Sequence, residues 1–64
     1  MRDLIVRNMN SIFLLVPVTE AGRDWISNHI PDDALTWGKA IVVEHRYIGD
    51  IVEGAIADGL TVGR

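Results

Sequence analysis

The chain reads as a small α/β or α+β domain in which two helices pack on a three-stranded sheet in the order β-α-β-α-β. Three observations predict it. Ile12-Phe13-Leu14-Leu15-Val16 is apolar at every position, the mark of a strand covered on both faces. Ala40-Ile41-Val42-Val43 repeats that pattern. Between and after these runs the apolar residues fall at helical spacing instead.

The first strand covers about Ser11 to Val16 and stops at Pro17, which has no N–H to give a ladder. Thr19 then suits a helix N-cap, and Glu20 places an acid in the first turn, where the helix dipole favours it. The helix runs from Glu20 to His29. Its inner stripe is Gly22, Trp25, Ile26 and His29, with Arg23, Asp24, Ser27 and Asn28 turned to water. Pro31 ends it, and Pro31-Asp32-Asp33 is a loop. Thr36 to Glu44 forms the second strand. In the second helix, Ile48, Ile51, Val52, Ala55 and Ile56 follow the i, i+3, i+4, i+7, i+8 pattern, and Gly59 stands where a left-handed C-terminal cap belongs. Leu60-Thr61-Val62 is a short last strand.

Met9 offers a second possible start, which makes residues 1–8 a candidate accessory segment before a core of residues 11–62. Within that segment Leu4-Ile5-Val6 is readable as an extra edge strand, with Asn8 and Asn10 supplying turn chemistry. Both helix-containing connections are long enough for crossovers, so mainly parallel pairing is expected, with antiparallel pairing as the alternative. If both crossovers move the same way, both helices cover one face and half of each apolar run is left bare. A second subunit then covers that face. A central first strand would instead put one helix on each side.

Composition narrows the function. A single domain of 64 residues removes only about 60% of its unfolded surface from water, so it needs help from a disulfide, a metal or a second subunit. There is no cysteine, which excludes disulfides and thiolate chemistry and leaves self-association, as a homodimer, as the common remaining support. The formal charge is −3, and Arg2, Arg7, Arg23, Lys39, Arg46 and Arg64 are scattered rather than clustered, which argues against a nucleic-acid partner. No apolar stretch approaches the roughly 18 residues of a membrane span, and Leu4-Ile5-Val6 is too short for a signal-peptide core. A cytoplasmic location and no membrane partner are expected.

Glu44-His45-Arg46-Tyr47 is the polar group to weigh, because it lies where the second strand enters the second helix, and ligands of open α/β sheets gather beyond strand ends. It suits an anion or a charged group on a partner; alternatively Glu44 or His45 caps the helix, Arg46 pairs with a carboxylate and Tyr47 packs on a tryptophan. Trp37 suits an interface anchor, whereas Trp25 belongs to the core stripe. Gly54 and Ala57 stand where better helix formers are expected, which points either to close approach of another backbone or to a weak helix. Leu14 and Leu15 take opposite faces of the first strand, so one of them points to the bare face. His29 and His45 with Asp32 or Asp33 match no metal-ligand spacing, and His29 is a natural last-turn residue; no metal or other cofactor is expected. Ser11 and Ser27 lack nucleophile-elbow context, and Pro17-Val18-Thr19 stands where a phosphate loop would be, so an enzyme is not expected.

Ile12-Phe13-Leu14-Leu15, Arg23-Asp24-Trp25, Val42-Val43-Glu44-His45-Arg46-Tyr47-Ile48 and Ala57-Asp58-Gly59-Leu60 resemble segments of small uncharacterised proteins of bacteria and their phages. The resemblance implies a natural fold and a source class, and no activity. Two function classes follow. One is a non-enzymatic protein-interaction module, sharpest as a phage-borne inhibitor of a host protein. The alternative is a small-ligand or anion sensor using residues 44–47.

Overall fold

Two tight turns convert the expected three strands into five. The computed structural model describes all 64 residues and runs β1 (Leu4–Asn8), β2 (Phe13–Pro17), α1 (Glu20–His29), β3 (Thr36–Trp37), β4 (Ala40–Val43), α2 (His45–Ala57) and β5 (Val62–Gly63). The first turn joins β1 to β2. There Asn10 adopts φ 75° and donates its N–H to Asn8 Oδ1 at 2.9 Å, the local bond that makes asparagine a turn former. The second turn splits the expected strand Thr36–Glu44 into the hairpin β3–β4. Gly38, at φ 63°, supplies the first central residue of a type II′ turn, whose twist fits a two-residue hairpin.

Strand order across the sheet is β3-β4-β2-β1-β5, and only β1 and β5 are parallel. Two expectations are corrected here. The sheet is five-stranded and mostly antiparallel, since β1–β2 and β3–β4 are hairpins, which must be antiparallel, and β2 also pairs antiparallel with β4, and Leu4-Ile5-Val6 belongs to an interior strand rather than an edge. The two crossovers, β2-α1-β3 and β4-α2-β5, leave oppositely oriented strands in opposite directions. A common right hand therefore brings both helices to one face.

That face holds the core. Leu4, Val6, Leu15 and Val43 meet Trp25 of α1 and Ala55 of α2, with Phe13, Ile41, Ile48 and Ile51 packed around them. Helix α1 approaches β1 closely at Gly22, where an added Cβ would run into the carbonyl oxygen of Asp3. Thr19 caps this helix by accepting from Gly22 N–H at 3.1 Å. Helix α2 ends in a Schellman motif: Gly59 adopts φ 92°, Leu60 N–H reaches Ala55 C=O at 3.0 Å and Gly59 N–H reaches Ile56 C=O at 2.9 Å. Ile56, expected in the inner stripe, is 56% exposed, because the stripe on α2 is narrower than its apolar spacing suggests.

Two carboxylates tie the ends of elements together. Asp3 accepts from Thr61 N–H at 2.9 Å and from the Thr19 hydroxyl at 2.7 Å, joining β1, the start of α1 and the approach to β5. Asp58, at the C-cap of α2, opposes the helix dipole. It is held by the Trp25 indole N–H at 2.8 Å and lies 3.4 Å from His29 Nε2. His29 in turn stacks on Trp25 with ring centroids 4.4 Å apart.

Gly22→Ala is expected to destabilise the fold by about 1–3 kcal/mol or more, since the obstructing atom is backbone. Gly54→Ala meets only Trp25 Cζ2 at 3.6 Å, an ordinary contact. It is expected to stabilise by up to about 1 kcal/mol through helix propensity, and denaturant titration of the pair checks both signs. The donors on Asp3, Thr61 N–H first and the Thr19 hydroxyl second, hold its carboxyl below the ordinary 3.8. Its contribution is present above the unfolded value and is lost as pH falls through the lower folded value. Asp3→Asn is therefore expected to be less stable at neutral pH, with a flatter acid limb in melts taken from about pH 5 to about pH 2.

Candidate interaction surface

Side chains alternate across a strand, so every residue facing the helices leaves its neighbours on the opposite side. Ile5, Leu14, Val16, Ala40 and Val42 occupy that opposite side, and no helix covers it. The register aligns them in rows. Trp37 pairs with Ala40, Val16 with Ile5, and Ile5 with Gly63, while Val16 follows Leu15 and Leu14 in the β2–β4 register and so lies beside Ala40. One row thus crosses all five strands as Trp37, Ala40, Val16, Ile5 and Gly63. A second runs Val42, Leu14 and Arg7.

Leu14 is only 9% exposed and Ala40 is buried, yet neither belongs to the helix-side core cluster. Trp37 at the β3 edge is 62% exposed and Leu35 beside it 71%. At the other edge Gly63 is buried because the Arg2 side chain lies across it, in the space a Cβ would need. Every acid except Asp3 lies on a helix, at a helix cap or in the Asp32-Asp33 loop, while the bases are spread over the molecule, with Arg7 on β1 and Lys39 in the β3–β4 turn but Arg23 on α1 and Arg46 on α2. Asp3 is engaged by Thr19 and Thr61.

The expected binding residues separate into two places. Trp37 and Leu14 lie on the open face. Glu44, His45, Arg46 and Tyr47 lie at the start of α2, all exposed. Glu44 is the N-cap residue but makes no side-chain cap bond; instead its carboxylate lies 3.7 Å from Arg46, which also stands 5.0 Å over the Tyr47 ring. Tyr47 therefore packs on Arg46 rather than on a tryptophan, and His45 tilts against Phe13 at 4.7 Å. Leu15 is corrected as an interface residue: it is fully buried under the helices. Gly54 is corrected likewise, because the group that approaches it is Trp25 of the same chain. Ala57 is exposed on α2, away from the open sheet face.

Beside the polar group lies an apolar groove of about 190 Å³, walled by Ile30, Pro31 and Ala34 on one side and Tyr47 and Ile51 on the other. Glu44 and Tyr47 reach it, but neither His45, Arg46 nor a tryptophan does. A sensor built from the whole polar cluster around a tryptophan-lined pocket is therefore not assembled here. Sequence reasoning missed Ile5, Arg2 and Gly63 as parts of the open face. For Ile5 the signal was the unbroken apolar run Leu4-Ile5-Val6, which calls for cover on both faces once β1 is known to be interior; Arg2 and Gly63 had none.

Comparison with protein-family models, with curated proteins and with solved structures returns no match to this chain. The reading of the surface rests on its own geometry. Because Arg46 and Glu44 are both largely in water, Arg46→Ala is expected to cost less than about 1 kcal/mol of stability, measurable by chemical denaturation.

Proposed function

We propose that this chain is a small non-enzymatic interaction module that holds a protein partner on its open sheet face. The observation that carries the reading is the placement of both helices on the other face, which leaves Ile5, Leu14, Val16, Ala40 and Val42 side by side beneath no helix, with Leu14 and Ala40 buried and the other three half-buried. Apolar side chains gathered on a helix-free sheet face are a common basis for interaction sites. Trp37, large, aromatic and exposed at the margin, has the character of an anchor residue. The titratable side chains with well-defined partners, Asp3, His29 and Asp58, are engaged in holding elements together.

A surface kept for a partner tolerates polarity in the isolated fold, whereas a core does not. Val16→Asp and Val42→Asp, at low micromolar concentration, are expected to retain native circular dichroism and to lose no more than about 1 kcal/mol. Leu15→Asp, on the helical side, is expected to unfold the protein. Unfolding by all three would place the open face in the structural core and remove the proposed site.

A further inference from the structure

The C-terminal ends of α1 and α2 meet at three side chains that share one set of hydrogen bonds. His29 Nδ1 lies 2.8 Å from the Trp25 carbonyl oxygen, and Nε2 lies 3.4 Å from Asp58 Oδ2, the same oxygen that accepts from the Trp25 indole N–H at 2.8 Å. The imidazole lies flat on the indole, with the two planes 14° apart. A carbonyl oxygen and an ionised carboxylate can only accept, so both ring nitrogens face acceptors. A neutral imidazole has one N–H to give. With that hydrogen on Nδ1, where the contact is shorter, the Nε2 lone pair points at the Asp58 carboxylate. Only the imidazolium donates at both ends.

We propose that Trp25, His29 and Asp58 form a pH-sensitive clasp between the C-terminal ends of the two helices, closed when His29 carries a proton on both ring nitrogens. The surroundings of the ring favour the same charge state. Helix C-termini present partial negative charge. His29 is the basic residue of the last turn of α1, α2 has none in its last turn, and Asp58 adds a full negative charge at the α2 cap. Toward solvent, His29 shares a polar hollow with Ser27, Asn28 and Asp32, which no lysine or arginine lines. The charged groups about the ring are therefore Asp58 from α2 and Asp32 from the loop after α1, both acids. From its own helix the ring meets the face of Trp25, which attracts a cation.

The sign of the pH dependence follows from where the proton is better held. In the unfolded chain His29 is in water, with neither acceptor held against it. The clasp contributes while the ring is charged, below about pH 6.5, and its contribution is lost as pH rises and the ring gives up its proton. This range lies above the acid limb governed by Asp3, so the two effects separate. The effect is modest, because the His29 and Asp58 side chains are 46% and 51% exposed.

The experiment uses the full chain. His29→Gln keeps a polar side chain that takes no charge, and both chains retain His45, whose titration cancels in the comparison. Urea denaturation at about pH 5.5 and about pH 8 brackets the histidine range. The stabilising effect of His29, read as the ratio of the unfolding equilibrium constants of the two chains, is expected to be about three- to tenfold larger at the lower pH. In an Asp58→Asn background this difference is expected to shrink to about twofold or less. An equal ratio at both pH values overturns the clasp. Nitrogen NMR of the unsubstituted chain gives a second reading that depends on no variant: at about pH 8 the hydrogen is expected on Nδ1 of His29, held by the Trp25 carbonyl. Hydrogen on Nε2 alone overturns the proposal, because the neutral ring then satisfies Asp58 without a second proton.

Discussion

The structure depends on one steric constraint: two helices must reach the same side of a five-stranded sheet. Hairpins at both ends of α1 orient the strands so that right-handed crossovers can do nothing else. All the helical surface is then spent on one face, and Leu4, Leu15, Trp25 and Ala55 form a single thin core. With so few residues there is no third element to lay over the other side. The open face is thus a consequence of topology, present before any question of what binds it.

A thin core places a premium on the joints between elements. Asp3 and Asp58 make these joints at opposite ends of the chain, one by gathering donors from α1 and the approach to β5, the other by bridging the last turns of both helices. Each carboxylate stands in a position that would be indifferent or unfavourable alone. Asp58 in particular faces the negative end of its own helix, and its indole donor offsets that repulsion. The polar residues with directed side-chain bonds thereby serve the scaffold, while Glu44, His45 and Arg46 remain in water with only loose neighbours.

Much of this architecture was legible in the sequence where a local rule decides it. The span of α1, its Thr19 cap and the left-handed Gly59 all follow from residue chemistry read over a few positions, whereas the covering of one face by both helices was one of two arrangements and depended on strand order. The extra strand before the Asn8–Asn10 turn was legible as well, but the full count of five was not, because Gly38 makes a turn inside a stretch that otherwise reads as one long strand. Nor was the interior place of β1, which depends on pairing with Val62 and Gly63, far away in sequence. The surface was legible in outline, since Leu14 and Leu15 had to part to opposite faces. Its composition waited on register, which alone decides that Trp37, Ala40, Val16, Ile5 and Gly63 stand in line.

That line has a temporal side. Both hairpins close over short loops, but the bond from Thr61 N–H to Asp3 joins residues 58 apart, so β5 docks against the cost of the longest loop in the molecule. Until it does, neither Gly63 nor the arginine laid over it has a defined place, and the row is one strand short. Chains that have made their hairpins but not this final closure carry the apolar centre without the strand and the arginine at its margin. Completion of the fold and completion of this face are then the same event, and a chain presents the whole row only after its two ends have met.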